Sequence, residues 1–148
     1  MLLLSLLACA LHEPQVGLVQ NTADEVHLIG NNGRDFHVIS SEIAGPLRQL
    51  EGCSVSVTGR GLRHRLWIND WKVLDAGDGS SPFVGVLRQE GLKYVIRDRN
   101  SGSTVYLDPR SMNGLLDHVD DLVLVVGYVQ GTHQVSVVSW KALIDEAD

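Results

Sequence analysis

Cysteine is nearly missing from this chain: two residues of 148, Cys9 and Cys53. There is no Cys-x-x-Cys and no Cys/His cluster, so the residues for a structural zinc site are not there. Cys53 stands just ahead of an expected buried strand and reads as a small free thiol rather than a reactive one. Positive charge is also in deficit. Twelve Lys and Arg against 18 Asp and Glu leave a net charge of −6, whereas nucleic-acid binding usually rests on a basic face that displaces counterions. Charge can segregate on a surface, so the deficit disfavours a nucleic-acid partner without excluding it. Aromatic residues make up only 5% of the chain. The longest apolar run, at positions 1–10, is far short of the ~20 residues that cross a bilayer. No Gly-x-Ser-x-Gly elbow, Gly-x4-Gly-Lys phosphate loop or His-Glu-x-x-His helix occurs, so no catalytic constellation and no resident cofactor or metal is expected.

What is present is a duplication. Val16-Gly17-Leu18 opens a stretch that closes at Trp71-Lys72-Val73-Leu74, and Val84-Gly85-Val86 opens another that closes at Trp140-Lys141-Ala142-Leu143. Apolar residues stand five and three places before each Trp: Leu66 and Ile68, then Val135 and Val137. Thr58-Gly59 answers Val126-Gly127, and Ile43-Ala44-Gly45 answers Met112-Asn113-Gly114. The period is too long for a solenoid repeat and predicts two copies of one small domain. Each copy is small enough to have a marginal core of its own, so the two should support one another.

In the first copy, strands are expected at Val16–Gln20, Val26–Ile29 and Phe36–Ile39, with Gly30-Asn31-Asn32-Gly33 as a hairpin turn. Ser40-Ser41-Glu42 starts a short helix carrying Ile43, Leu47 and Leu50, which Pro46 limits and Gly52 ends. Val55–Gly59 and Leu66–Leu74 are the last two strands. The second copy repeats the order: strands at Val84–Gln89, Lys93–Asp98 and Thr104–Leu107, a helix starting at Pro109-Arg110-Ser111 with Met112, Leu115, Leu116 and Val119, then Leu122–Val126 and Gln134–Val138. The expected organisation is an N-terminal tether over 1–15, barrels over 16–74 and 83–144, a Gly/Ser/Asp/Pro linker over 75–82 and a tail over 145–148.

Strand-strand-strand-helix-strand-strand, written twice, resembles the OB-fold, a small, partly open Greek-key barrel with a helix between its third and fourth strands. The glycine in each first strand suits the sharp bend that this fold demands. The expectation is an all-β protein with short helices, built as two tandem OB-like five-stranded barrels. Pairs of SH3-type barrels lack the helix; one continuous β-sandwich is the other alternative. Leu6-Leu7-Ala8-Cys9, at the end of a leucine run, resembles the lipobox of bacterial lipoproteins, which implies cleavage before Cys9, its lipidation, and a periplasmic, membrane-anchored location in the cell envelope. Leu7 is larger than usual there and no basic residue precedes the leucines; a start upstream of Met1 would account for the second departure.

Candidate contacts follow from the barrels. Trp71 and Trp140, equivalent in the copies, are expected in the cores. Trp67 alternates out of phase with Leu66 and Ile68 and faces outward as a contact residue. Arg60, Arg63, His64 and Arg65 concentrate charge in the loop between strands four and five, which borders the ligand face in OB-folds. Arg97 and Arg99 supply charge in the second copy, where Val95 and Tyr106 replace His27 and His37, and Tyr106 joins the candidate contacts. His27 and His37 are expected as solvated cross-strand neighbours rather than as metal ligands. The expected function is a non-enzymatic binding or assembly module holding a protein or polysaccharide partner. A single-stranded nucleic-acid binder is the alternative, since paired OB-folds with aromatic platforms suit that work.

Overall fold

The computed structural model describes residues 10–39, 41–131 and 134–144. The first copy forms β1 (Ala10–Asn21), β2 (Val26–Gly30), β3 (Asp35–Val38), helix α1 (Ser41–Arg48), β4 (Ser54–Leu62) and β5 (Arg65–Asp75). The second forms β6 (Phe83–Glu90), β7 (Lys93–Arg97), β8 (Thr104–Leu107), β9 (Leu122–Gln130) and β10 (Gln134–Ala142). Each set closes into a barrel: β1-β2-β3-β5-β4 in one case, β6-β7-β8-β10-β9 in the other. β3 and β5 pair in parallel, as do β8 and β10, while the remaining pairs are antiparallel. That is the OB order twice over, and closure leaves neither barrel with a free edge.

The cores come from period-two alternation. Val55 and Val57 on β4 and Leu66 and Ile68 on β5 point inward, as do Leu87 on β6 and Ile96 on β7; all are buried. The helix and its following turn drop Leu47 and Leu50 onto the first barrel. Burying a leucine of this kind contributes about 2 kcal/mol. The sheets divide cleanly between the copies, but the core does not. Val84, Leu124 and Leu143 of the second copy belong to the apolar cluster of the first barrel. Asn100 stitches the seam: its side chain accepts from Val73 N (3.0 Å) and donates to the carbonyls of Val73 (2.7 Å) and Pro82 (3.0 Å).

The duplication extends to the irregularities. Asn69 is left unpaired where β4 and β5 shift register, and Val138 where β9 and β10 do. Each bulge lies two residues before its Trp. Opposite it, Gly59 and Gly127 face a crossing backbone so closely that a Cβ would lie 1.9 Å from the Trp67 carbonyl and 2.3 Å from that of Ser136.

Four expectations need correction. β1 starts at Ala10, not Val16, and pairs with β4 from Ala10↔Arg60 onward, so the stretch from Ala10 to Gln15 is strand rather than tether. α1 stops at Arg48, and Gly52, at φ +84°, serves the turn beyond it. The second helix is two 3-10 turns, Pro109–Ser111 and Leu115–His118, split by Gly114 at φ +76°. Met112 and Leu115 are buried from those turns while Leu116 is 44% exposed, because a broken turn cannot carry one continuous apolar stripe. Trp71 is core as expected, but Trp140 is only half-buried. The Arg99 guanidinium of the other barrel lies 4.5 Å over Trp71. Trp140 packs at the edge of the second barrel's apolar cluster, with His118 (5.0 Å) and the Asn113-Gly114 turn against it, and donates its indole N–H to the Asn113 carbonyl (3.0 Å).

Candidate ligand-binding face

On the outer surface of the second barrel, cross-strand partners fall into rows. Arg88 on β6 pairs with Val95 on β7, Val95 with Tyr106 on β8, and Tyr106 with Gln134 on β10. Partners in register share a face, so Arg88, Val95, Tyr106 and Gln134 form one continuous row. Arg97 and Thr104 pair in a row on one side; Glu90 and Lys93 pair on the other. Lys93 places its ammonium 5.3 Å from the Tyr106 ring centre. A groove of about 600 Å³ lies over Arg88, Val95, Arg97, Arg99 and Thr104, with the exposed carboxylate of Glu90 at its edge. A second hollow of about 360 Å³, lined by Lys93, Tyr94, Tyr106 and Gln134, adjoins it at the Val95–Tyr106 pair. None of Arg88, Lys93 and Arg97 forms an ion pair with a described carboxylate. The face is therefore a shallow basic trough with one aromatic platform, suited to an extended anion with a flat or apolar side.

The β7–β8 turn that borders the trough is built by Asp98. Its buried carboxylate accepts from Val84 N (3.0 Å), Ser101 N (3.2 Å) and the Ser101 hydroxyl (2.8 Å), which fixes the turn between Arg97 and Thr104. Arg99 borders the same groove but is engaged across the seam. It donates to Asp70 (2.9 Å) and lies over Trp71, across the seam between the barrels.

The corresponding row of the first barrel runs Gln20, His27, His37, Arg65. His27 and His37 are direct partners with ring centres 5.5 Å apart and nearly parallel. His27 Nδ1 lies 2.7 Å from Asp35 and Nε2 lies 2.9 Å from Glu25. The Asp35 carboxylate, seconded by Glu25 and opposed by partial burial, holds the His27 imidazole above its ordinary pKa. Both ring nitrogens are turned to carboxylates, and in its protonated form His27 donates to each and offers no lone pair to a metal. Among the described residues, no three His, Cys, Asp or Glu side chains are placed to hold a metal ion.

Arg60, Arg63, His64 and Arg65 lie together with Trp67 on the β4–β5 hairpin. They share neither the trough nor its barrel, since β4 and β5 close the first barrel and Arg97 and Tyr106 stand on the second. Arg63 takes a left-handed φ of +57° in the two-residue turn. Cys9 lies outside the described residues. Cys53 is buried, and burial pushes its thiol pKa up, in keeping with an unreactive core cysteine. Arg88, Lys93 and Thr104 were missing from the sequence-based candidates. Pairing β6 to β7 across Gly91-Leu92 would have placed Arg88 and Lys93 with Arg97, but a lone charge on an outward strand position carries no signal until its cross-strand neighbours are known.

The fold and this trough define a tandem OB-like protein with a basic, aromatic-bearing face on its second barrel. No family model and no curated protein matches the chain. Among solved structures it is similar to one described as "Structure of yeast Ssd1, a pseudonuclease", at 14% identity and a TM-score of 0.32, over 93% of this chain and 24% of that one. The chain thus spans about a quarter of that protein's length, and a likeness at that score carries no argument about function.

Proposed function

We propose that this chain is a non-enzymatic binding module of the bacterial cell envelope that holds an extended anionic partner, an acidic polysaccharide or acidic protein segment, along the second barrel's trough. The observation that carries the reading is the convergence of Arg88, Lys93 and Arg97, without described carboxylate partners, around Val95 and Tyr106 in a protein of net charge −6. Cations gathered against the overall charge mark a place where an anion is attracted and oriented. The lipobox-like Leu6-Leu7-Ala8-Cys9 supports an anchor at Cys9 that keeps the module at a membrane.

Binding of the full chain to polygalacturonate, followed by calorimetry against salt, tests the proposal. Arg88→Gln with Arg97→Gln should weaken a salt-sensitive interaction by about tenfold or more, each lost charge-assisted contact being worth roughly 1 kcal/mol or above. Absence of binding, or binding indifferent to both changes, overturns it. On membrane-fraction protein, an intact mass beginning at Cys9 with added acyl groups checks the anchor; a chain retaining Met1 refutes it. Tyr106 beneath Lys93 favours a second reading, a single-stranded nucleic acid with a base stacked on the ring. Tighter binding to an oligodeoxythymidylate than to the polysaccharide would select it.

A further inference from the structure

We propose that the β4–β5 hairpin of the first barrel is a contact for an anionic lipid surface, independent of the trough on the second barrel. Leu62 pairs with Arg65 and Arg60 with Trp67, so all four project from the same outer face of the hairpin. The inward partners are Leu66 and Ile68, both buried in the barrel. Leu62, at the last paired position before the turn, is 64% exposed. The turn residues Arg63 and His64 are exposed and point a further cation beyond the tip. Arg60, Arg63 and Arg65 form no ion pair with a described carboxylate. Among the described side chains nearby, Asp35 on β3 and Glu25 just ahead of β2 face His27.

An exposed leucine ringed by arginines, with a half-buried tryptophan behind it, matches the layered chemistry of a membrane interface. Phosphate headgroups take the guanidinium groups, the acyl boundary takes Leu62, and the amphipathic indole of Trp67 sits at headgroup level. A soluble acidic polymer would use the arginines but leave Leu62 in water. A basic patch beside a lipid anchor adds electrostatic attraction to an anionic leaflet. The hairpin supplies such a patch whether or not Cys9 is acylated.

The test is sedimentation of the full chain with vesicles containing phosphatidylglycerol and with vesicles of phosphatidylcholine alone. Parent and variants share residues 1–9, so any affinity from that segment cancels in the comparison. Each basic residue near an anionic surface is worth roughly fivefold in partition. The triple variant R60Q/R63Q/R65Q should therefore lose at least tenfold on phosphatidylglycerol vesicles, and L62S should lose several-fold at unchanged charge. R88Q/R97Q should bind vesicles like the parent, which separates this contact from the trough. Circular dichroism confirms that each variant remains folded. Equal vesicle binding by parent and triple variant overturns the proposal. So does a triple variant that loses polygalacturonate binding but keeps its vesicle binding, or an L62S variant with no loss.

Discussion

The two barrels share strand order, bulges and close-packed glycines, yet they present opposite chemistry on the same surface. Position for position, Gln20-His27-His37-Arg65 in the first becomes Arg88-Val95-Tyr106-Gln134 in the second. Glu25, ahead of strand two, corresponds to Lys93, and the Ile29↔Asp35 pair corresponds to Arg97↔Thr104. The inward residues hardly change in character, because barrel closure demands apolar side chains of suitable volume at those places. The outward ones have no such duty and have diverged into a histidine–carboxylate cluster on one copy and a basic trough on the other. What is retained in both copies is therefore a record of folding, and what differs points to contact.

The most severe challenge to this equivalence is steric. Gly59→Ala and Gly127→Ala should each cost about 3 kcal/mol or more, since the added carbon meets backbone that cannot swing aside. Urea denaturation of the two variants measures this, and a tolerated change at only one site would break the symmetry. The seam comes next. Asn100→Ala leaves the Val73 N–H and the Val73 and Pro82 carbonyls without their partner and should cost about 2 kcal/mol. Because Val84, Leu124 and Leu143 pack with the first barrel's core, loss of this link should destabilise both barrels together. Two separated transitions, with one midpoint unmoved, would show that the copies are thermodynamically independent.

The smallest effect is a pH dependence confined to the first barrel. His27 has its pKa raised above 6.5 in the folded state by Asp35 and Glu25. Its stabilisation is thus complete below the unfolded value and is lost as pH rises through the higher folded one. Denaturation midpoints taken from acid to mildly alkaline conditions should fall across that window in the parent and flatten in His27→Gln. In the second barrel Val95 and Tyr106 occupy the corresponding positions, so His118→Gln, which removes the Asp121 contact (3.1 Å) far from that row, should leave this component of the slope in place. An unchanged slope in His27→Gln would show that the pairing does not report on folding.

How much of this was readable in advance depends on the range of the interaction. Two barrels, five strands in each and the core position of Trp71 all follow from local alternation and from a pattern stated twice. The failures have local causes too. The turn at Gly114 splits the second helix, and Trp140 lacks the cover that Arg99 gives Trp71. Of the candidate contact residues, the hairpin group was visible because its charges are consecutive in sequence. The trough was only half visible, because Arg88, Lys93 and Arg97 stand on different strands or far along one.

The sequence by itself determined the barrel, since periodicity, turn residues and duplication are properties of neighbouring residues along the chain. Tertiary structure alone decided which charges act together. Barrel closure and register set distances between strands, and through them Arg99 was turned to the seam, the histidines were turned to carboxylates, and three separated cations were brought onto one face.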